Sequence, residues 1–207
     1  MPYKYQQLTP KELEEVLRKR REAGYPLHAP PHPFRQAGTY FITAANYEHA
    51  HIMDTADRRT EFEKQLRLEF QEVHAELAAW VILSNHYHFL AGVESFDQIS
   101  TALKHLHGIT SYEWNKADNL TGKRRVWYKF MDRYIRDERH YYCALNYIHI
   151  NPIKHGYVTD PFNWPWMSLQ DYSDLQGHDW LLEKWKNYPP DHFARDLDDD
   201  CGPIITT

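Results

Sequence analysis

A chain of 207 residues can bury a core as one domain with extensions, and 15 Tyr, 9 Phe and 7 Trp exclude a disordered polypeptide. No apolar run approaches the roughly 20 residues of a bilayer span, and the start MPYKYQQLTPKELEE lacks the apolar stretch of a secretory signal. The net charge of −5 argues against a nucleic-acid partner until its distribution is read: residues 99–158 hold ten Lys/Arg against five Asp/Glu, whereas residues 159–207 hold three against ten. A basic middle with an acidic tail is compatible with a local phosphate-binding face. Cys143 and Cys201 show neither metal-type spacing nor a disulfide framework, so a reduced cytoplasmic setting is expected.

In chain order, LTPKELEEVLRKRREAG predicts a helix opened by a Thr9/Glu12 capping box with Pro10 at its first position. The Pro-rich AGYPLHAPPHPFRQ follows as an extended linker. GTYFITAAN reads as a strand. Residues 56–77 read as a helix with Phe62, Leu66, Phe70, Val73 and Leu77 on one face. AAWVILSNHYHFLAGV reads as two strands around a turn at Ser84-Asn85, and a second helix starts at Ser95 with Gln98 three residues on. After a polar, basic loop, VWYKFMDRYI is a strand candidate and DERHYYCALNYIHIN a further helix. The tail from Pro161, including HDWLLEKWKNYPP, is expected to wrap over the domain. The predicted class is α+β: a ferredoxin-like β-α-β-β-α-β core with an antiparallel sheet, followed by a helix.

Two constellations carry candidate chemistry. His86 and His88 alternate on one strand, so both imidazoles project from one face, a geometry suited to a divalent ion. In the last predicted helix, Tyr141, Leu145, Ile148 and Pro152 form a stripe expected to face the core. Tyr147 and Asn151 lie together on a different face, one turn apart. A phenol can attack a phosphodiester to form a phosphotyrosine and release a 3′-hydroxyl, and an ion held by two imidazoles and an amide oxygen can polarise that phosphate. His149 and His155 read as surface or packing residues, and His140 sits too far from Tyr147 for direct proton transfer.

The motifs LSNHYHFL, VWYKFMDRYIRDERHY, LNYIHINPIKHGYV and NWPWMSLQDY together resemble the REP-associated tyrosine transposases, a branch of the single-tyrosine HUH superfamily, from about Gly38 to Tyr172. The resemblance implies that His86, His88 and Asn151 hold Mg²⁺ or Mn²⁺ and that Tyr147 is the nucleophile. It also implies the ferredoxin-like fold and a single-stranded DNA substrate beside a palindromic hairpin, with a bacterial monomer acting without a membrane. The expected organisation is an N-terminal helix and linker (1–36), the transposase-like domain (37–172) and an acidic, Trp-containing extension (173–207). Lys123, Arg124, Arg125, Arg133 and Arg136 are candidate DNA contacts, with Trp127 or Tyr128 available to stack on an unpaired base. Two alternatives stand beside strand cleavage: a domesticated hairpin-DNA-binding protein that does not cut, and an RNA-binding module of the same fold.

Overall fold

The computed structural model describes residues 36–191 and 193, together with Thr9, Lys11, Glu14, Glu15 and Arg18. Glu12 of the predicted N-terminal capping box, the Pro-rich linker up to Arg35 and the acidic cluster at 196–200 lie outside the described residues. Strand β1 (Gly38–Ala45) leads through a short 3₁₀ turn, Tyr47–His49, to helix α1 (Ala56–Glu72). The Thr55 side chain caps α1 by accepting from the Arg58 amide at 3.3 Å. Strands β2 (Glu76–Ile82) and β3 (His86–Val93) flank the Ser84-Asn85 turn, and helix α2 spans Phe96–Ala117. Its capping box is the predicted one, with Gln98 Oε1 accepting from the Ser95 amide at 3.0 Å. Strand β4 (Met131–Tyr134), helix α3 (Glu138–Lys154), and helices α4 (Leu169–Gln176) and α5 (His178–Asn187) complete the chain order.

The sheet order is β2-β3-β1-β4 with every pairing antiparallel, the ferredoxin-like arrangement. Alternation along β3 sorts its side chains to two faces. Tyr87, Phe89 and Ala91 join Phe62, Leu66, Phe70, Leu103 and Leu106 in the core under α1 and α2. On the opposite face Leu90 packs with Phe41, Val81, Leu145 and Ile148 beneath α3. No described helix is long and apolar enough to cross a membrane.

Three elements differ from the sequence expectation. Helix α1 stops at Glu72, and Leu77 belongs to β2, because His74 takes a left-handed backbone (φ 53°) that breaks the helical run. The fourth strand covers only Met131–Tyr134, since Val126 and Trp127 pair with the sheet through a single isolated bridge, Asn46 to Trp127. Helix α3 is buried on both sides, not along one stripe. The chain after it supplies the second side: Asn146 donates to the carbonyls of Lys184 and Tyr188, both at 2.8 Å.

The same returning chain protects the sheet. Trp166 O accepts from Ile82 N at 2.9 Å and Ser168 N donates to Trp80 O at 3.0 Å, so this segment occupies the hydrogen-bonding edge of β2. Arg59 lies 3.9 Å from the Trp166 ring centre and 5.1 Å from that of Trp164, fastening the segment to α1.

Candidate active site

Strand β3 and helix α3 bring the sequence-predicted site residues together. His86 and His88 project from β3 with ring centres 5.0 Å apart. Tyr147 stands 5.2 Å from His88 on the facing helix, and Asn151 lies one turn farther along. All four are enclosed: His88 and Asn151 are 0%, His86 1% and Tyr147 2% exposed. Tyr147 was expected off the core stripe with its hydroxyl available. Its ring is instead packed against His88, Phe41 and Phe193, in the same buried layer as Leu145 and Ile148.

The outer nitrogens of the histidines are set by neighbours. Asn85 Oδ1 accepts from His86 Nδ1 at 2.7 Å, which places the proton on Nδ1 and leaves a lone pair on Nε2. Thr43, paired with His88 in the β1–β3 register, sits 2.7 Å from His88 Nδ1 and can accept its proton in the same sense. The two Nε2 atoms and the amide oxygen and nitrogen of Asn151 are buried and meet no partner in full hydrogen-bond geometry among the described residues, although the Asn151 amide lies near enough to His86 to act on its charge. Leaving such atoms unsatisfied is costly, which marks a place shaped for a ligand.

Electrostatics favour neutral rings. Burial, with added repulsion from His88 and His155, drives His86 well below the usual histidine range, while the adjacent Asn151 amide opposes the shift. Burial, with His155 and Lys154, does the same to His88. Neutral imidazole is the form that binds metal. No group of three His, Cys, Asp or Glu side chains suited to a metal ion occurs among the described residues. A third protein donor here has to be of another type, and the orphaned amide of Asn151 has the right chemistry. Two imidazole nitrogens and an amide oxygen fit a divalent cation.

A REP-associated tyrosine transposase of Escherichia coli K12 is 29% identical over 96 residues, which are 45% of this chain and 54% of that protein. A Haemophilus influenzae protein assigned to the same group is 27% identical over 158 residues, 71% of this chain and 89% of its own length. Both are proteins to which this chain is similar. Its match thus spans about half of the E. coli protein and most of the H. influenzae one. No protein-family profile matches the chain. The fold is likewise that of a REP-associated tyrosine transposase solved with a REP hairpin, with a TM-score of 0.59 and 21% identity, covering 86% of this chain and 99% of the solved one.

Further residues surround the four at the centre of the site. His155, expected at the surface or in packing, is 7% exposed with its ring 4.8 Å from His86. It lies one turn beyond Asn151, a spacing that could have flagged it. Lys154 places its ammonium 4.9 Å from the Tyr147 ring centre. The Ser84 hydroxyl, in the β2–β3 turn, bonds His51 Nδ1 at 2.6 Å and the Tyr157 hydroxyl, which ties the turn before His86 to the chain just after α3. His149 is a packing residue, 3.4 Å from Ser168 Oγ and against the Tyr172 ring. Phe193 covers Tyr147, held by the Arg133 guanidinium, which donates to its carbonyl and lies 5.2 Å from its ring centre.

The candidate DNA contacts divide. Lys123 and Arg136 are exposed. Arg124 is turned inward: it pairs with Asp118 at 2.7 Å and donates Nε to Asn115 at 2.8 Å, so it closes the loop after α2. Arg133 is engaged with Phe193. Arg125 is exposed and stacks 4.8 Å from the Tyr47 ring centre.

Proposed function

We propose that this chain is a metal-dependent single-strand DNA endonuclease and strand transferase that acts beside hairpin sequences through a covalent 5′-phosphotyrosine. The observation that carries the reading is the convergence of unpartnered buried donors on His86, His88 and Asn151 next to the ring of Tyr147. The solved relative in complex with a REP hairpin supports hairpin DNA as the substrate class. His86 and His88 through Nε2 and Asn151 through its amide oxygen would hold Mg²⁺ or Mn²⁺, which when bound supplies Lewis-acid polarisation of a phosphodiester.

The chain's own residues do the rest. Asn85 and Thr43 fix the two imidazoles from behind, as outer partners orient metal-binding histidines generally. Tyr147 supplies the attacking oxygen: its bond to phosphorus forms as the bond to the 3′-oxygen breaks, the phenol proton passes to water, and the departing 3′-oxygen takes a proton from solvent. Lys154 sets positive charge beside the phenol and the negative phosphate. The phosphotyrosine retains the phosphodiester's energy, so a 3′-hydroxyl can reverse the step and rejoin strands.

The test is a labelled single-stranded DNA hairpin carrying flanking sequence from the gene's own surroundings, incubated with Mn²⁺ or Mg²⁺ and resolved on a denaturing gel. Wild type is expected to yield a covalent adduct and Tyr147→Phe none. An adduct of equal yield in Tyr147→Phe removes Tyr147 from the role. The second reading, hairpin binding without cleavage, is favoured by the covering of Tyr147 under Phe193. Tight hairpin binding with no adduct under either metal would establish it.

A further inference from the structure

Outside the Tyr147 site, one cleft combines unpaired cations with aromatic rings. It lies between the outer side of α2 and the segment leading into β4, has a volume of about 320 Å³, and is lined by Lys104, Arg125 and Lys129 among others, with no Asp or Glu. None of these three cations has a carboxylate partner among the described residues, in contrast to Arg124 beside them. In a chain of net charge −5, a purely cationic cleft is not a sample of the average surface.

The floor is rigid. His107 and Trp127 stack at 4.5 Å with their planes 8° apart. Tyr87 bonds His107 Nε2 at 2.7 Å, and Trp127 donates its indole N–H to Thr110 at 3.0 Å. Burial holds His107 down at about 3, so the floor is uncharged and the positive charge is confined to the rim. Tyr128 and Phe130, both part-exposed, add aromatic walls, and Arg125 is steadied by donating Nε to Trp127 O at 3.0 Å.

The cleft also connects to the site through the backbone. Asn46 N donates to Asn85 O at 2.7 Å, next to His86, and Asn46 in turn bridges to Trp127. Tyr128 N donates to Ala45 O at 3.0 Å, and Ala45 is the register partner of His86. A strand leaving the Tyr147 side of the sheet can therefore cross this edge directly into the cleft. Flat aromatic walls with a cationic rim suit one base and its phosphates, and the volume sits at the low end of small-ligand pockets, about one nucleotide unit.

We propose that the α2–β4 cleft is a subsite for an unpaired nucleotide of single-stranded DNA, gripping the strand at a second point on the sheet face opposite Tyr147. The identity of the ligand as DNA rests on the reading given above. The test uses the full chain in EDTA, so that no strand is cut, and a fluorescein-labelled, ten-nucleotide single-stranded DNA of mixed sequence read by anisotropy. Arg125→Ala/Lys129→Ala is expected to bind at least about tenfold more weakly, and the slope of log K against log salt should fall by about 1.4, roughly 0.7 for each lost phosphate contact. Tyr128→Leu, which keeps apolar bulk and loses the stacking face, is expected to weaken binding about tenfold with the slope unchanged. Lys64→Ala/Lys186→Ala, which removes two exposed charges elsewhere, should change neither quantity.

Equal losses in the Lys64→Ala/Lys186→Ala control overturn the proposal in favour of general surface charge. Tighter binding of RNA of the same sequence, or of a decaglutamate peptide, overturns it in favour of another partner. A wild-type chain that binds DNA through the cleft yet forms no adduct with Mn²⁺ sinks the tyrosine chemistry alone. Adduct formation with a strand affinity indifferent to Arg125 and Lys129 sinks the cleft alone.

Discussion

The two faces of the sheet are built from the same strands but to different rules. Under α1 and α2 the sheet buries Tyr87, Phe89 and Ala91 against Phe62, Leu66 and Leu106, an apolar interlock in which His107 is paired with Tyr87 and the indole N–H groups of Trp80 and Trp114 are left unpaired. Under α3 it buries His86, His88 and Asn151, with polar atoms left unpartnered within the same enclosed layer. Moving one residue along β3 crosses from one regime to the other. The helical face is what stability alone would select. The α3 face carries a desolvation penalty that folding does not require, and the chemistry of the unpaired atoms says what could relieve it.

That contrast is broken or sharpened by perturbing each face in turn. The largest effect on stability belongs to the helical face: Leu106→Ala, at a fully buried position, should cost about 2–5 kcal/mol in urea unfolding. A loss well under 1 kcal/mol would mean that this core is looser than its burial implies. Next comes metal on the α3 face. With Mn²⁺ at a hundredfold over its dissociation constant, wild type should gain about 2.7 kcal/mol, seen as a rise in Tm that EDTA reverses. His88→Ala should show no Mn²⁺-dependent rise, whatever its own Tm, whereas Leu106→Ala should keep it. A rise that survives in His88→Ala would place the ion elsewhere.

Much of this contrast was legible in the sequence because it is local. The Ser95/Gln98 capping box, the alternation of His86 and His88, and the one-turn spacing of Tyr147 and Asn151 are each set by residues a few positions apart. What escaped depends on pairing over long separations. Thr43 meets His88 only through the β1–β3 register, and Phe193 reaches Tyr147 from 46 positions downstream. The helical phase of α3 placed Tyr147 off the Leu145 stripe, but it could not say that Tyr147 would be buried in one layer with Leu145 and Ile148, or that α5 would cover Asn146. Arg124 misled for a related reason: a loop arginine reads as solvated until its pairing with Asp118 is seen.

The last comparison sets two histidines side by side, one serving each face. His107 on the helical face and His149 on the other side of α3 are both pushed down to about 3 by burial. In the unfolded chain each titrates near 6.5. Above that value both states are neutral and the full stability is present. Below it the unfolded chain takes up a proton that the folded one refuses, so stability falls as the pH drops from about 6.5 toward 3. Each histidine steepens that fall by up to about 1.4 kcal/mol per pH unit, less for His107, which is only partly shielded from solvent. His149→Gln should therefore flatten the acid limb of stability against pH by about that amount while changing the stability at pH 8 less. His107→Gln should do the same to a smaller extent from the opposite face, where Tyr87 holds the ring at 2.7 Å. Flattening by both would show that burial, common to both faces, governs their titration. A flattening confined to His149→Gln would assign the acid sensitivity to the polar layer around α3 and separate the two faces more sharply than packing alone does.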